Sequence, residues 1–308
     1  MIYFKKFVCT KQYNSKILKN TLIRISLLIL PICLFPTFII SYASTEPIPL
    51  STPYPFIADK FNILDTRSKN SLPNRFRDIK DLNISGSAQF VPSQLDDIKE
   101  AVGTDNITIV DLRQESHGFV DDTAISFYSL FKLINSGLSS KETLKSEKKD
   151  LSSIAKEESL NLYSKSGEFK KTIEVKNVLS EGKAVKNANL NYVRFAVRDA
   201  KIPTPSTVDD FIEFIVNLDS NEHLHFHCHQ GQGRTTTFMV LYQMMKNKNK
   251  IPLEDILKEQ VTNGGVVLTD NKSRAKFLEY FYNYTLENMD SNYKTSYSSW
   301  LSSNKLTN

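Results

Sequence analysis

Two periods of apolar spacing run along this chain and predict alternating strands and helices. Ile107 to Leu112 and Tyr192 to Val197 read as buried strands, and His223 to Cys228 alternates apolar and polar residues up to a glycine-rich turn. Apolar residues recur at helical spacing after Arg234. Ser206 is expected to open a helix, with Asp209 completing a capping box and Val208, Phe211, Ile212, Ile215 and Val216 as the buried stripe. Phe277, Leu278, Phe281 and Tyr282 form another stripe. Such an order predicts an α/β sandwich. The charged stretch from Lys141 to Lys176 reads as a solvated helix and connecting arm.

The amino end follows a different pattern. The first 43 residues hold Lys5, Lys6, Lys11, Lys16, Lys19 and Arg24 but no acid, an apolar run from Ile25 to Ile40, and Ser41-Tyr42-Ala43 as a small-x-small cleavage site. The run is short for a span and is broken by Pro31 and Pro36, which favours a cleaved signal peptide over an anchor. The expected organisation is a signal peptide over 1–43, a proline-rich tether over 44–71 and a catalytic domain over 72–308, long enough for one substantial core. The expected location is secreted or periplasmic, with no membrane partner once the signal is cleaved.

Removing that segment changes the chemistry of what remains. The formal charge falls from +5 to −1, so the basic pI gives no argument for a nucleic-acid partner. Cys9 and Cys33 leave too, and Cys228 becomes the single cysteine of the mature chain. An exported protein that keeps one unpaired thiol points to chemistry at that thiol.

Cys228 and Arg234 stand six positions apart around His229, Gln230, Gly231, Gln232 and Gly233. A strand before this turn and a helix after it make an anion cradle. Gly231 and Gly233 permit positive φ, so successive N–H groups can point inward, and the helix N-terminus adds partial positive charge. A thiolate there is stabilised and nucleophilic. Arg234 offers a planar fork for two phosphate oxygens, and Thr235 can donate its hydroxyl to the sulfur. The pattern reads as phosphate-ester hydrolysis through a covalent intermediate. His227 is expected to pack under the loop and orient Cys228. A departing alkoxide needs a proton and the later water needs a base, so one carboxylic acid above the cysteine can serve both steps. Asp199, in Arg198-Asp-Ala-Lys-Ile-Pro-Thr-Pro205, is the candidate, and Asp111 is its competitor.

These residues carry a family resemblance. The Cys-x5-Arg-Thr loop resembles protein tyrosine phosphatases. Leu82-Asn-Ile-Ser-Gly-Ser-Ala-Gln-Phe90, Asp111-Leu-Arg-Gln-Glu-Ser-His-Gly118, Pro203-Thr-Pro205 and Leu224-His-Phe-His-Cys228 are similar to the signatures of the bacterial tyrosine-phosphatase-like inositol phosphatases, the cysteine phytases. The likeness runs from about Leu72 to Trp300. It implies a tyrosine-phosphatase-like sandwich, a mostly parallel central sheet flanked by helices, with a small partial barrel beside it. It also implies an inositol polyphosphate substrate. Asp199 matches the acid of the family's movable loop, while Asp111 and Arg113 are expected to support the site. Two departures bear on which phosphate leaves first: Ala200 stands where relatives often carry His, and Lys132-Leu-Ile-Asn135 replaces an acidic-aromatic stretch.

A polyphosphorylated inositol needs cations beyond Arg234. Arg75, Arg77, Lys170, Lys171, Lys272, Arg274 and Lys276 are the candidates, and the resemblance favours Arg77. No cofactor or metal is implied, because no His, Asp and Glu set shows ligand spacing; His223, His225, His227 and His229 alternate along a strand that enters the phosphate loop. A secreted tyrosine or dual-specificity phosphatase is the alternative, followed by an inactive phosphate-binding module and rhodanese-like sulfur transfer. Oligomeric state is not legible.

Overall fold

The computed structural model describes residues 60–65, 70–129 and 131–307. The expected signal peptide, with Cys9 and Cys33, and most of the tether lie outside the described residues. In chain order the strands are β1 (Phe61–Leu64), β2 (Arg77–Ile79), β3 (Ile84–Ser87), β4 (Ile107–Arg113), β5 (His117–Val120), β6 (Thr123–Tyr128), β7 (Ser159–Tyr163), β8 (Phe169–Glu174), β9 (Val178–Leu179), β10 (Asn191–Val197) and β11 (His223–His227). The helices are α1 (Leu95–Val102), α2 (Ser140–Ile154), α3 (Glu181–Asn187), α4 (Pro205–Val216), α5 (Gly233–Lys246), α6 (Leu253–Thr262), α7 (Lys272–Asn288) and α8 (Tyr297–Ser303).

A five-stranded sheet in the order β10-β4-β11-β3-β2 is parallel except at its edge, where β2 runs against β3. Its two faces follow from the period of two. Val110 and Leu112 of β4 and Leu224, Phe226 and Cys228 at β11 face a core built with α4, α5, α6, α7 and α8. Ile107 and Ile109 face the other way, onto α1, α3 and residues Phe119 and Ala124. The histidines of β11 share that second side, where His225 is stacked on Phe76 and His227 meets Phe90 edge-on.

The second sheet, in the order β8-β7-β1-β6-β5-β9, is antiparallel apart from β1 with β7. It is the element expected as a partial barrel; it stays open, with β8 and β9 at its edges. Val120, Ile125, Phe127, Leu160 and Leu162 cover it on the side of Leu151 and Ile154 from α2. The strand β1 falls within the stretch read as a tether, so the folded domain begins ahead of Leu72. Its apolar positions Phe61 and Ile63 are buried, in a segment whose surrounding prolines masked a strand of four residues.

Two further readings are corrected. The helix expected from Ser206 is capped two residues earlier: the Thr204 hydroxyl accepts from the Thr207 N–H, and Pro205 takes the first helical position. Proline suits that position because it lacks the N–H that would be left unpaired. Asp209 accepts instead from the Ser298 N–H at 3.1 Å, tying α4 to α8. The charged stretch from Lys141 is not wholly solvated, since α2 buries Thr143, Glu147, Leu151 and Ile154 and its sequel forms the hairpin of β7 and β8.

Candidate active site

β11 ends at His227, α5 begins at Gly233, and the five residues between them turn around a buried Cys228. Gly231 is what lets the turn close. Its φ is +67°, and a Cβ there would stand 2.4 Å from the Ala88 nitrogen. Gly233 is different from expectation: it has ordinary helical φ and serves as the first residue of α5, where a Cβ would face the Arg274 guanidinium at 3.4 Å.

The loop is pinned from below. Arg77, expected to face the substrate, is buried and donates to the Gly231 carbonyl at 3.0 Å and to Thr236 Oγ1 at 3.2 Å. The Gln89 N–H donates to the His229 carbonyl at 3.3 Å. His229 turns its ring away from the cradle, with Nε2 2.9 Å from Asp65 and Nδ1 3.2 Å from Lys165.

Burial pushes the Cys228 thiol up, but Arg234, the Thr235 hydroxyl and the N–H groups of Thr235 and Gln230 together bring its pKa below the ordinary value. The Thr235 hydroxyl also reaches the Ser87 carbonyl, at 3.5 Å. A cation and inward-facing N–H groups that favour a thiolate also favour a phosphate dianion beside it.

Arg234 is held in a fixed plane. Glu115 grips it with both oxygens, at 2.7 and 2.9 Å, and the Val197 carbonyl accepts at 3.0 Å. Burial pushes Glu115 up, yet Arg234 and Arg113 hold it well below the usual carboxylate range. Glu115 was within the quoted motif and was missed as a site residue; a buried arginine in an anion cradle requires an acid partner, which is the signal that could have found it.

Asp199 stands over the same guanidinium at 3.3 Å and pairs with Lys132 at 2.6 Å. Burial raises its pKa, but Arg234 and the Lys132 hydrogen bond outweigh it, and Asp199 is lowered. Ala200 next to it adopts φ +63°, a left-handed conformation uncommon for a residue with a Cβ.

These groups open onto a cavity of about 670 Å³ lined by Cys228, Arg234, Asp199, Ala200, Tyr128, Lys132, Lys165, Gln230, Gln232, Gly233, Val266, Asn271 and Arg274. Of the seven basic candidates, Arg274 alone lines it. Lys272 and Lys276, four residues apart, share one face of α7, and Arg274 between them points from the opposite face into the lining; Lys276 lies over the Tyr280 ring. Arg75 is exposed, outside the lining. Lys170 and Lys171 line an adjoining cavity of about 450 Å³ that shares Lys165 and Gln230. Lys132 was noted only as part of a departure from the family's pattern and not as a cavity cation, and Lys165 was missed, since it sits in a charged stretch whose sequence gives no hint that it returns to the loop.

Asp111, Arg113 and His227 form the floor. Arg113 is fully buried against Asp65 at 2.9 Å, Gln89 at 2.6 Å, Glu115 at 3.0 Å and Ser126. Asp111 accepts from Tyr192 at 2.7 Å and faces Arg194 at 3.2 Å and His117 at 3.3 Å. His227 pairs with Glu181 at 2.7 Å. Asp111, Glu181 and His227 place ligand-type atoms within 4.8 Å of one another. Their carboxylates already face Arg194 and His117, so the set is an ion network beneath the loop.

The PTP-like phytase family model, described by inositol hexakisphosphate, matches residues 110–246, which take in Glu115, Asp199, Cys228 and Arg234. The effector protein hopD2 of Pseudomonas syringae pv. tomato is 28% identical over 249 residues, 74% of this chain and 53% of the relative. The PTP-like myo-inositol phosphatase from Mitsuokella multacida, solved with myo-inositol-(1,3,4,5)-tetrakisphosphate, superposes with a TM-score of 0.72 at 31% identity, covering 79% of this chain and 49% of that one. A PTP-like phytase from Bdellovibrio bacteriovorus gives a TM-score of 0.68 at 28% identity, covering 79% and 95%. The chain thus spans about half the length of the first two relatives. The motif residues, the fold and the matched segment agree, and they place residues 110–246 in the PTP-like phytase family.

Proposed function

We propose that this chain is an exported phosphatase that removes phosphate from inositol polyphosphates through a phosphocysteine intermediate. The observation that carries the reading is Cys228, its pKa lowered, at the base of a loop whose Arg234 is fixed by Glu115 beneath Asp199. In the first step the Cys228 thiolate attacks phosphorus, the ester P–O bond breaks, and Asp199 gives its proton to the leaving alkoxide. In the second, Asp199 takes a proton from a water that attacks phosphorus, the S–P bond breaks, and phosphate leaves with the thiolate restored.

The lowered pKa of Asp199 in the empty site fits this role once substrate is considered. A phosphate dianion seated on Arg234 cancels the charge that holds Asp199 down and adds a like charge nearby, both of which favour the protonated acid. Arg234 follows the equatorial oxygens into the transition state, where charge develops.

Substrate class rests on the cavity and the relatives. A 670 Å³ site carrying Lys132, Lys165 and Arg274 besides Arg234 suits a small polyanion with several phosphates. The Mitsuokella relative was solved with an inositol tetrakisphosphate. Export rests on the basic and apolar pattern of the first 43 residues. Tyr128 on the cavity wall is the one feature that favours a phosphotyrosine ring instead.

The test is phosphate release from inositol hexakisphosphate compared with a phosphotyrosine peptide, for the native chain and Cys228→Ser. Preference for the inositol phosphate and loss of turnover in the variant are expected, because an alkoxide does not form at neutral pH as a thiolate does. Preference for the peptide removes the substrate reading, and variant turnover within about tenfold of native removes the phosphocysteine.

A further inference from the structure

We propose that the rim of the catalytic cavity docks on an anionic lipid bilayer, so that the site takes inositol phosphate headgroups carried by membrane lipids. This rests on the inositol phosphate reading above and deepens it. Nine large apolar side chains are exposed among the described residues, and three of them, Phe131, Leu133 and Val267, adjoin cavity-lining residues in sequence. Phe131 is 77% exposed and Leu133 52%, on either side of Lys132. Val267 is 54% exposed beside Val266, on a different segment of the lining. Scattered apolar residues are ordinary on a surface, whereas a group around the mouth of a polar site marks contact with something apolar.

The display is held in place rather than loose. Arg198 donates to the carbonyls of Phe131 at 3.0 Å and Lys132 at 3.2 Å. The Leu133 N–H donates to Ser129 Oγ at 3.0 Å, and Asn135 Nδ2 reaches the Gln114 carbonyl at 3.1 Å and Ser116 Oγ at 2.9 Å. On the other segment, the Val266 N–H donates to Thr236 Oγ1 at 3.3 Å, beside the phosphate loop. These bonds fix the backbone on both sides of the exposed side chains.

Charge selects the occupant. Residues 131–135 carry Lys132 and no acid, and residues 198–202 carry Arg198 and Lys201 against Asp199, which is paired with Lys132 and Arg234. Residues 264–268 on the other segment carry no charge. Apolar tips among cations match a surface that is anionic at the headgroups and apolar just beneath, with the phosphate-bearing ring reaching Cys228 while the acyl chains stay in the bilayer. This is contact at a bilayer surface: among the described residues no helix is long and apolar enough to cross a membrane.

The experiment uses the full chain, phosphatidylcholine vesicles with and without phosphatidylserine and a phosphatidylinositol bisphosphate, and the same headgroup on water-soluble short chains. Sedimentation with vesicles and phosphate release are read for the native chain, for Phe131→Ser with Leu133→Ser, and for Val267→Ser. The native chain should sediment with anionic vesicles and lose that binding at high salt. Each variant should lose vesicle binding and vesicle hydrolysis, the double variant by about tenfold or more, while the short-chain rate stays within about twofold. Equal sedimentation of native and variant chains overturns the proposal. So does a parallel fall on the short-chain lipid, which would assign the rim to the pocket itself, or a fall confined to a phosphotyrosine peptide, which would make it a protein-docking surface. If no inositol phosphate is hydrolysed in any form, the proposed function fails, and sedimentation still decides whether the rim binds lipid.

Discussion

Arg77 separates two accounts of this site that the sequence alone merges. If it faces the substrate, Arg77→Ala should raise KM for a polyanion and spare a small ester. The structure puts its guanidinium beneath the loop, on the Gly231 carbonyl and Thr236, so the loss should fall on the loop itself. Each hydrogen bond from a charged donor contributes about 1.5 to 3 kcal/mol, so two of them amount to about 3 to 6 kcal/mol of stability, a large share of an ordinary domain's total. Unpinning Gly231 also misaims the N–H groups that hold the phosphate, a defect worth about 10²-fold in kcat when one such donor is lost. The Cys228 thiolate and Arg77 favour each other's charged forms, so the variant's thiol should titrate higher and the acid limb of its pH profile should move up. Steady-state kinetics on inositol hexakisphosphate and p-nitrophenyl phosphate, with urea unfolding alongside, should show parallel kcat losses on both substrates and a lowered midpoint. A KM increase confined to the hexakisphosphate, with native stability and an unmoved pH profile, would refute the placement.

Three other outcomes follow from the same geometry. Asp199→Asn should lower kcat by about 10²- to 10⁴-fold for inositol leaving groups and far less for p-nitrophenyl phosphate, whose phenolate needs little protonation; equal losses would reassign the acid. Arg274→Ala should raise KM for inositol hexakisphosphate by about 10- to 100-fold, most at low salt, while Lys272→Ala and Lys276→Ala stay near native; the reverse ranking would contradict the cavity lining. Stability should also depend on pH at both ends. Burial raises Glu181, but His227 and a His117 hydrogen bond bring it to about 2, so its contribution is present above its unfolded value near 4.5 and is lost as pH falls toward 2. Burial and Arg113 lower His117, but Asp111 and Glu147 carry it to about 10, so its contribution is full below 6.5 and fades as pH rises toward 10. Urea midpoints measured across pH should fall at both extremes, and His117→Gln should flatten the alkaline side; an unchanged alkaline limb would rule out His117 as its source.

What the sequence made legible was whatever is written locally. The alternation through β11 and the glycines after it fix a strand, a tight turn and a helix start within a dozen residues, and Cys228, Arg234 and Thr235 fall into place from that segment alone. Asp199 was singled out because proton transfer demands a carboxylate and the loop ahead of α4, like the family's movable loop, offered one; the structure sets it against Arg234 on the cavity wall. The misses are residues whose role depends on distant pairing. Lys165 comes to the loop because β7 joins β1 in parallel, and nothing in a charged hairpin announces that pairing. Arg77 was misassigned because an arginine near a phosphate site reads as a ligand, whereas the antiparallel edge pairing of Arg77 with Gly86 points it under the loop. Capping at Thr204 was overlooked because Ser206 with Asp209 satisfies the same spacing rule. Only the fixed φ of Pro205 breaks the tie.

The polar floor gives Asp111, Arg113 and His117 of the long acidic and basic motif a role outside the cavity lining. β11 turns His223, His225 and His227 onto its second face, and each imidazole must find a partner in an interior that excludes water. His225 is satisfied by hydroxyls, Ser85 at 2.8 Å and Ser87 at 2.9 Å, and burial holds it neutral. His227 takes Glu181 instead, which brings a negative charge beneath the nucleophile and would by itself oppose a thiolate. The structure offsets that charge before it reaches the loop. Glu181 also accepts from His117 at 3.1 Å, and Asp111 and Glu147 are matched by Arg194 at 3.2 and 2.7 Å. Removing any one partner leaves a buried charge uncompensated, at a cost of about 3 to 5 kcal/mol. Glu147 comes from α2, Glu181 from α3, His117 from β5 and Arg194 from β10. The network therefore joins the open sheet to the central one directly under Cys228, and the position of the loop is set by both sheets at once.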